Sequence, residues 1–336
     1  MSVNRYEKAM LDPATVAFNA SSTQTAVVNF MRQAGDPLKR ACSLGYGPDF
    51  DRAFLPLMPG ELVSIIGLSG NMKSALMQYS LRHQADELHQ TGRESTEFVA
   101  YVSWEQSVEA MGMYDLSRRI KVPIDVLARG EGVDEAFIAD TVMPVFGELA
   151  SKSVLYLGSC GLRPNLSAPL TLDAVGKVLR WYCKKTGWHC HCLYLDYIQA
   201  VDTETGHYQE RRLEVRENVY KAKNLAFDLG CPVVMGVQAK QTLMQQAVKL
   251  PGRYDGEETS GLAQRSDRIL GTWYPFATED AGEKVSVGKF QGVTVTPNLF
   301  FLSIAKQKMG ESRGLFPQYV DPETNEFLPA DWRQLA

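Results

Sequence analysis

The chain has 336 residues, 45% of them apolar and 22% charged, with a formal net charge of −4. A chain of this length and composition builds one large α/β domain or two small ones without staples, and the acidic balance excludes bulk nucleic-acid coating, though not a narrow basic channel. No apolar run reaches the roughly 18 residues that span a bilayer, and the start, MSVNRYEKAMLDPATVAF, has no apolar core of a secretory signal. A cytoplasmic protein is expected, and its 6 scattered cysteines are expected to be reduced thiols.

Residues 1–50 differ in character from the rest. A short helix is expected around Thr23 to Gln33, broken afterwards by Gly, Pro and Asp. This stretch is expected to be an arm and linker, with a single domain over 51–336. There a first strand, ELVSIIG, runs into the glycine loop GLSGNMKSA, and a helix is expected over Lys73 to His89. A second strand, FVAYVSW, precedes a helix expected from Glu105 to Ile120. Residues 122–150 read as helical with breaks near Gly130 and Gly132, followed by the strand SVLYLG. Leu172, Val175, Leu179 and Tyr182 mark a helix over 171–186. The strand CHCLYLDY and a helix over Glu210 to Leu229 come next, then the strand PVVMGVQ. A long polar loop (239–266) leads to strands at RILGTWY, NLFFLSIAKQK and GLFPQYV. Near-continuous apolar strands alternating with helices predict a mostly parallel twisted sheet covered on both faces, with ligands at the strand C-termini.

Four elements carry chemistry. The loop from Gly67 through Leu68, Ser69, Gly70, Asn71, Met72, Lys73, Ser74 and Ala75 nearly fits G-x-x-x-x-G-K-[ST], in which backbone amides cradle phosphate, the lysine meets the outer phosphates and the hydroxyl holds Mg²⁺. Met72 stands where the second glycine belongs. A left-handed methionine costs on the order of 1 kcal/mol, so the strained position is expected to move onto Gly70 or Asn71 with the thioether turned away. Asp196 ends an apolar strand and suits a second magnesium contact. Glu105 follows another strand and suits orienting or deprotonating a water. Gln238 ends a third and suits sensing a γ-phosphate. Each alone also suits a loop or a cap; their order carries the inference.

Six segments in this order resemble the ATPase domain of DnaB-like replicative helicases, of the RecA-like P-loop fold: PGELVSIIGLSGNMKSAL, YVSWEQSVEAMGMYDLSRR, YLDYIQAV, LAFDLGCPVVMGVQ, ETSGLAQRSDRIL and IAKQKMGESRG. The resemblance spans about residues 45–325. It implies C-terminal antiparallel strands, ATP and Mg²⁺ at subunit interfaces of a homo-oligomeric ring, usually a hexamer, and single-stranded DNA in its channel. It implies partners among replication or mobile-element proteins, a primase included, and no membrane. It assigns catalytic roles to Lys73, Glu105, Asp196 and Gln238, and makes Lys306 and Lys308 candidates for reaching a neighbour's site. The chain departs from the pattern at Met72. It departs again at Lys308, where the family carries an arginine, with Arg313 nearby. With about 50 residues ahead of the motor, the family's N-terminal helical domain is not expected, and the arm is a candidate to latch onto the next subunit.

Two loops are expected to face DNA. One supplies His207, Tyr208, Arg211 and Arg212; the other supplies Lys240, Lys249 and Arg253. Cys183, His189, Cys190, His191 and Cys192 match no common zinc spacing, and strand alternation is expected to turn the two histidines to one face and Cys190 and Cys192 to the other. Two functions remain beside the motor: an ATP-binding scaffold or loader that assembles with nucleotide but hydrolyses weakly, and, less supported for want of an arginine-rich lid, a small-molecule kinase.

Overall fold

The computed structural model describes residues 42–158, 169–201, 211–257, 261–308, 310 and 313–328, and before them positions 21, 23–25, 27, 28 and 31. Contacts divide the chain into two units, residues 1–41 and residues 42 onward. In the first unit the described positions are helical, and all but position 21 fall within the helix expected over Thr23 to Gln33.

The second unit begins at an antiparallel bridge between Cys42 and Leu57, with helix α1 (Pro48–Phe54) between. The central layer follows: β1 (Leu62–Gly67), α2 (Lys73–Gln90), β2 (Glu97–Ser103), α3 (Val108–Ile120), α4 (Met143–Ala150), β3 (Val154–Leu157), α5 (Leu172–Thr186), β4 (His189–Asp196), α6 (Arg211–Leu229), β5 (Val233–Gln238) and β6 (Arg268–Trp273). A hairpin, β7 (Lys284–Val287) and β8 (Phe290–Thr294), precedes β9 (Leu299–Lys306), β10 (Gly314–Asp321) and β11 (Glu326–Leu328). Nine strands form one sheet in the order β11-β10-β9-β6-β1-β5-β4-β2-β3. The pairs from β6 to β3 are parallel, and those joining β6, β9, β10 and β11 are antiparallel. The expected α/β class with C-terminal antiparallel strands is the one observed.

Alternation sorts the core onto the two faces. Val63, Ile65, Val99, Tyr101, Tyr194 and Val234 pack with Leu76, Met77, Leu81 and Ala85 of α2 and with Tyr46, Phe50 and Phe54. Leu62, Ile66, Phe98, Ala100, Leu193 and Leu195 pack on the other face with Leu172, Val175 and Leu179 of α5 and Val215, Val219 and Ala222 of α6. Side chains this completely buried each contribute about 1.5–3 kcal/mol, so helices are held on both faces and ligand access is left to the strand ends.

The cysteine-rich strand departs from expectation. Phe98 pairs with Cys190 but Val99 with Cys192, so His191 is the extra residue of a bulge. Cys190 therefore packs on the α5–α6 face and Cys192 on the α2 face. The β7–β8 hairpin was not expected. Val285 and Val287 turn inward onto Trp273 and Phe301, but strands of four and five residues leave too short an alternation to stand out. Residues 239–257 are also more ordered than a polar loop: Ala239 bridges Gly256, and Leu243 is buried.

Arg268 joins β6 to the entry segment. Its guanidinium, 1% exposed, donates to the carbonyls of Phe54, Leu55 (2.7 Å) and Pro56 (2.9 Å) and pairs with Glu61 at 2.8 Å. Arg268→Met leaves those acceptors without a donor. It is expected to lower unfolding free energy by about 3 kcal/mol or more, measured as a shift in the denaturant midpoint.

Candidate active site

A cavity of about 470 Å³ opens at the C-terminal ends of β1, β2, β4 and β5. Ser69 to Ala75, Glu105, Asp196 and Gln238 all line it. Three adjacent strands thus deliver one polar residue each, next to the strand that delivers the loop. Gly67 and Leu68 contribute carbonyls beneath it.

Lys73 is the centre of the arrangement. It opens α2 and is only 8% exposed, and its ammonium donates to Gly67 O (3.0 Å), Leu68 O (2.8 Å) and Gln238 Oε1 (3.2 Å). Burial lowers its pKa to about 8, against the opposing pull of the Asp196 and Glu105 carboxylates. Asp196 is 1% exposed and accepts a 2.7 Å bond from the Tyr101 hydroxyl. Burial raises its pKa, while hydrogen bonds from Ser74 and Tyr101 and the charge of Lys73 act to lower it. Glu105 is pushed upward by burial and by Asp196, with Lys73 opposing.

Glu105 owes its place to where its helix begins. The expected helix from Glu105 starts instead at Val108, because Ser107 caps it by accepting from Ala110 N at 3.2 Å. Ser103 Oγ accepts from Glu105 N (3.3 Å) and Gln106 N (2.9 Å), which bends the chain into a turn between β2 and α3. The carboxylate sits on that turn, within the cavity wall.

The loop keeps its strained methionine. Met72 has φ 52° and ψ 26°, and Gly70 has φ 74°. The left-handed position was expected to leave Met72; instead both residues adopt it. The side chain of Met72 packs against the α2-face core, and this burial offsets a backbone cost of order 1 kcal/mol. Asn71, expected to share the strain, has another role: buried, it accepts from Tyr274 N at 2.7 Å and ties the loop to the end of β6. Gly67 is required sterically, since a Cβ there would lie 2.3 Å from Thr272 Oγ1.

Other supporting residues escaped the sequence. Tyr101 is one, read only as strand. Gln199 is another: its carboxamide accepts from Gln238 N (3.1 Å) and donates to Gln238 O (3.3 Å) and Glu257 O (3.2 Å). It fixes the backbone of Gln238 at the root of the 239–257 loop. The Asp-Tyr-x-Gln spacing was the available signal.

Lys306 and Lys308 do not join the cavity. Lys306 donates to Ala263 O (2.7 Å) and Ser266 O (2.5 Å). Lys308 is more than half exposed and pairs with Asp267, which also takes Lys223 at 2.6 Å and Leu62 N at 2.8 Å. Burial acts to raise the Asp267 pKa, but these partners bring it below the usual range. Leu62 begins β1 and Gly67 ends it, so the lysine cluster and the loop lie at opposite ends of that strand, roughly 17 Å apart.

Of the residues expected to face DNA, positions 202–210, with His207 and Tyr208, lie outside the described residues. Arg211 is engaged by Glu214 and the Gln199 carbonyl, and Arg212 is exposed. Lys240 donates to Tyr254 O at 2.7 Å. Arg253 is exposed and lies 5.8 Å from the ring centre of Tyr254, itself 70% exposed. Lys249 is 8% exposed and paired with Glu279, turned into the fold. Among the described residues no group of three or more histidine, cysteine, aspartate or glutamate side chains is arranged to hold a metal ion, and no helix is long and apolar enough to cross a membrane.

A strand–loop–helix with a buried lysine, flanked by acids on neighbouring strand tips, defines a RecA-like P-loop ATPase domain. The model of the DnaB-like helicase C-terminal domain matches residues 45–320, and the chain belongs to that family. Replicative DNA helicase DnaB of Pasteurella multocida is 25% identical over 245 residues, 71% of this chain and 49% of that protein. DnaB of Haemophilus influenzae is 25% identical over 247 residues, 72% and 49% respectively. The chain therefore spans about half the length of these relatives. Among solved structures, one isolated ATPase domain superposes with a TM-score of 0.74 at 15% identity, covering 94% of this chain and 100% of that one. A DnaB-like replicative helicase studied with primase gives 0.72 at 15% identity, covering 94% and 68%.

Two measurements test this geometry. Met72→Ala keeps the left-handed cost and loses the packing, whereas Met72→Gly loses the packing but relieves the cost. The glycine variant is expected to be about 1 kcal/mol the more stable by chemical denaturation. The second concerns Lys73, whose lowered pKa disfavours the protonated form. Without ligand, stability is expected to rise between pH 8 and pH 10 as the folded state releases this proton before the unfolded chain does. Lys73→Met is expected to flatten that rise in pH-dependent denaturation curves.

Proposed function

We propose that this chain is an ATP-dependent, ring-forming motor acting on single-stranded DNA, with the residues from 42 onward, whose Tyr46 and Phe50 pack in the domain core, as the motor and residues 1–41 as an arm that engages a neighbouring subunit. The observation that carries the proposal is the convergence of Lys73, Ser74, Glu105, Asp196 and Gln238 on one cavity. The donor set suits a magnesium triphosphate: an ammonium beside loop amides, and a hydroxyl hydrogen-bonded to a buried carboxylate. Lys73 would hold outer phosphate oxygens, exchanging the Gly67 and Leu68 carbonyls for anionic partners. Ser74 and Asp196 would hold magnesium, which when bound neutralises charge on the phosphates. Glu105, with its raised pKa, would orient the attacking water and accept its proton. Gln238 would read the γ-phosphate and pass the change to the 239–257 loop.

Lys308 is the better candidate for a neighbour's site than Lys306. Lys306 is committed to two backbone carbonyls, whereas releasing Lys308 leaves Asp267 with Lys223 and Leu62 N. Position at the far end of β1 from its own loop suits action in trans within a ring, a hexamer by family resemblance. Arg211, Arg212, Lys240 and the Arg253–Tyr254 pair are the proposed DNA contacts, through phosphate pairing and base stacking. The setting is cytoplasmic, with a primase or other replication or mobile-element proteins as partners.

A second reading, a scaffold that binds nucleotide to assemble but hydrolyses weakly, is favoured by two departures from the family pattern. Met72 occupies the glycine position, and Lys308 offers a point charge where arginine would offer a planar fork. Phosphate release with and without single-stranded DNA, alongside mass measurement, separates the two. The motor predicts turnover raised by DNA and abolished in Lys73→Ala. It also predicts that Glu105→Gln lowers kcat by about 100-fold or more with nucleotide still bound. Background turnover in both conditions, with nucleotide changing the oligomeric mass, would leave the scaffold.

A further inference from the structure

The phosphate loop and the 239–257 loop are tied together by a short piece of chain between β6 and the β7–β8 hairpin. At one end stands Asn71, buried in the phosphate loop between the left-handed Gly70 and Met72. Its amide donates to Leu68 O at 3.3 Å, the carbonyl that also takes the Lys73 ammonium. Its carboxamide oxygen accepts from Tyr274 N. At the other end stands Glu279, paired with the buried Lys249 of the 239–257 loop.

The residues between are held stiffly. Pro275–Ala277 form a turn of 3₁₀ helix. Bonds from Ala277 N to Tyr274 O (3.1 Å), Thr278 N to Pro275 O (2.9 Å) and Glu279 N to Pro275 O (2.8 Å) close it. The Tyr274 hydroxyl donates to Pro297 O at 2.7 Å, and the Trp273 indole N–H donates to the Thr278 hydroxyl at 2.9 Å. The far loop is gripped as well. Val248 and Leu250, on either side of Lys249, pack against the cluster of Trp273 and Phe301. Pro251 runs so close over β6 that a Cβ on Gly271 would lie 2.1 Å from its carbonyl oxygen. Arg253 and Tyr254, a DNA contact in the reading above, follow directly after Gly252.

A buried ion pair adds little stability over an apolar pair of the same volume, but separating its partners is costly, so it fixes which groups face each other. We propose that Glu279 and Lys249 are positioning residues, through which segment 274–279 carries occupancy of the phosphate loop to Arg253 and Tyr254. This second link beside Gln238 rests on the ATP-site and DNA readings above. When Lys73 and the Asn71 amide turn from Leu68 O toward phosphate, the Asn71 carboxamide moves with its backbone and draws on Tyr274 N. The stiff turn passes that movement to Glu279 as one body, and the buried pair passes it to Lys249. Two sites are coupled in this way when both bias the position of one packed element.

The test measures the affinity of the full chain for a fluorescently labelled oligothymidylate, once with magnesium and ADP and once with magnesium and a non-hydrolysable ATP analogue. The ratio of the two affinities is the coupling factor, and by linkage the same factor must appear in nucleotide affinity with and without the oligonucleotide. Lys249→Met with Glu279→Met removes the pair without stranding a charge. Glu279→Gln removes one charge alone, and Lys249→Arg keeps the pair. The unaltered chain is expected to show a factor of about ten. The double variant and Glu279→Gln are each expected to shrink it by about threefold or more, and Lys249→Arg to keep it. Oligonucleotide affinity with ADP, and turnover without DNA, are expected to match the unaltered chain throughout. An unchanged factor in both pair-breaking variants would overturn the proposal. So would equal losses of affinity in the two nucleotide states, which would assign the pair to support of the loop alone. A factor near one in an unaltered chain that binds both ligands would overturn it too, since no occupancy would be reaching the DNA contact. Failure of the unaltered chain to bind nucleotide or oligonucleotide would instead sink the underlying motor reading.

Discussion

The ammonium of Lys73 is buried at the tip of β1, and much of the site is arranged around that charge. Taking a cation out of water is costly unless partners replace the solvent. Here two carbonyls from the strand end and loop replace part of it, the Gln238 carboxamide adds a third contact, and the fields of Asp196 and Glu105 favour the charged form. These groups come from β1, β5, β4 and β2, neighbours in the sheet. Register is therefore a functional quantity: Ser103 pairs with Asp196, and Gly67 with Gln238, which brings the strand tips level.

The loop above that charge is held by interactions outside the loop pattern. Asn71 fastens it to Tyr274, and Met72 is fastened by the core beneath it. A methionine in a left-handed conformation is tolerable when the side chain has apolar surface to cover. The departure from the glycine pattern thus exchanges backbone freedom for packing, and the lysine and serine that follow keep their positions at the start of α2.

The two ends of β1 carry opposite arrangements. At one end two carboxylates and a carboxamide surround a buried lysine; at the other a buried aspartate is shared by two lysines and the first amide of the strand. On the proposed reading, a subunit with these two ends contributes to two sites in a ring.

Hydrophobic periodicity and strand-end polarity made the sheet legible, because a buried strand must be apolar and must end where water begins. Glu105, Asp196 and Gln238 were legible for the same reason, each being a polar residue after an apolar run, whereas Lys73 was legible from its place in the loop pattern. Contacts between segments distant in sequence were not. Arg118 gripping the turn at Asn325, Gln199 bracing Gln238, and Asn71 reaching Tyr274 link residues whose local patterns reveal no partner. The bulge at His191 shifted two cysteines to opposite faces because pairing with β2 overrode strict alternation. The position of Lys249 was decided by Glu279, thirty residues on, which drew a loop cation into the fold. Local pattern marks which residues bear charge at strand tips. Which of those charges face one another follows from strand order and from buried partners that no local pattern encodes.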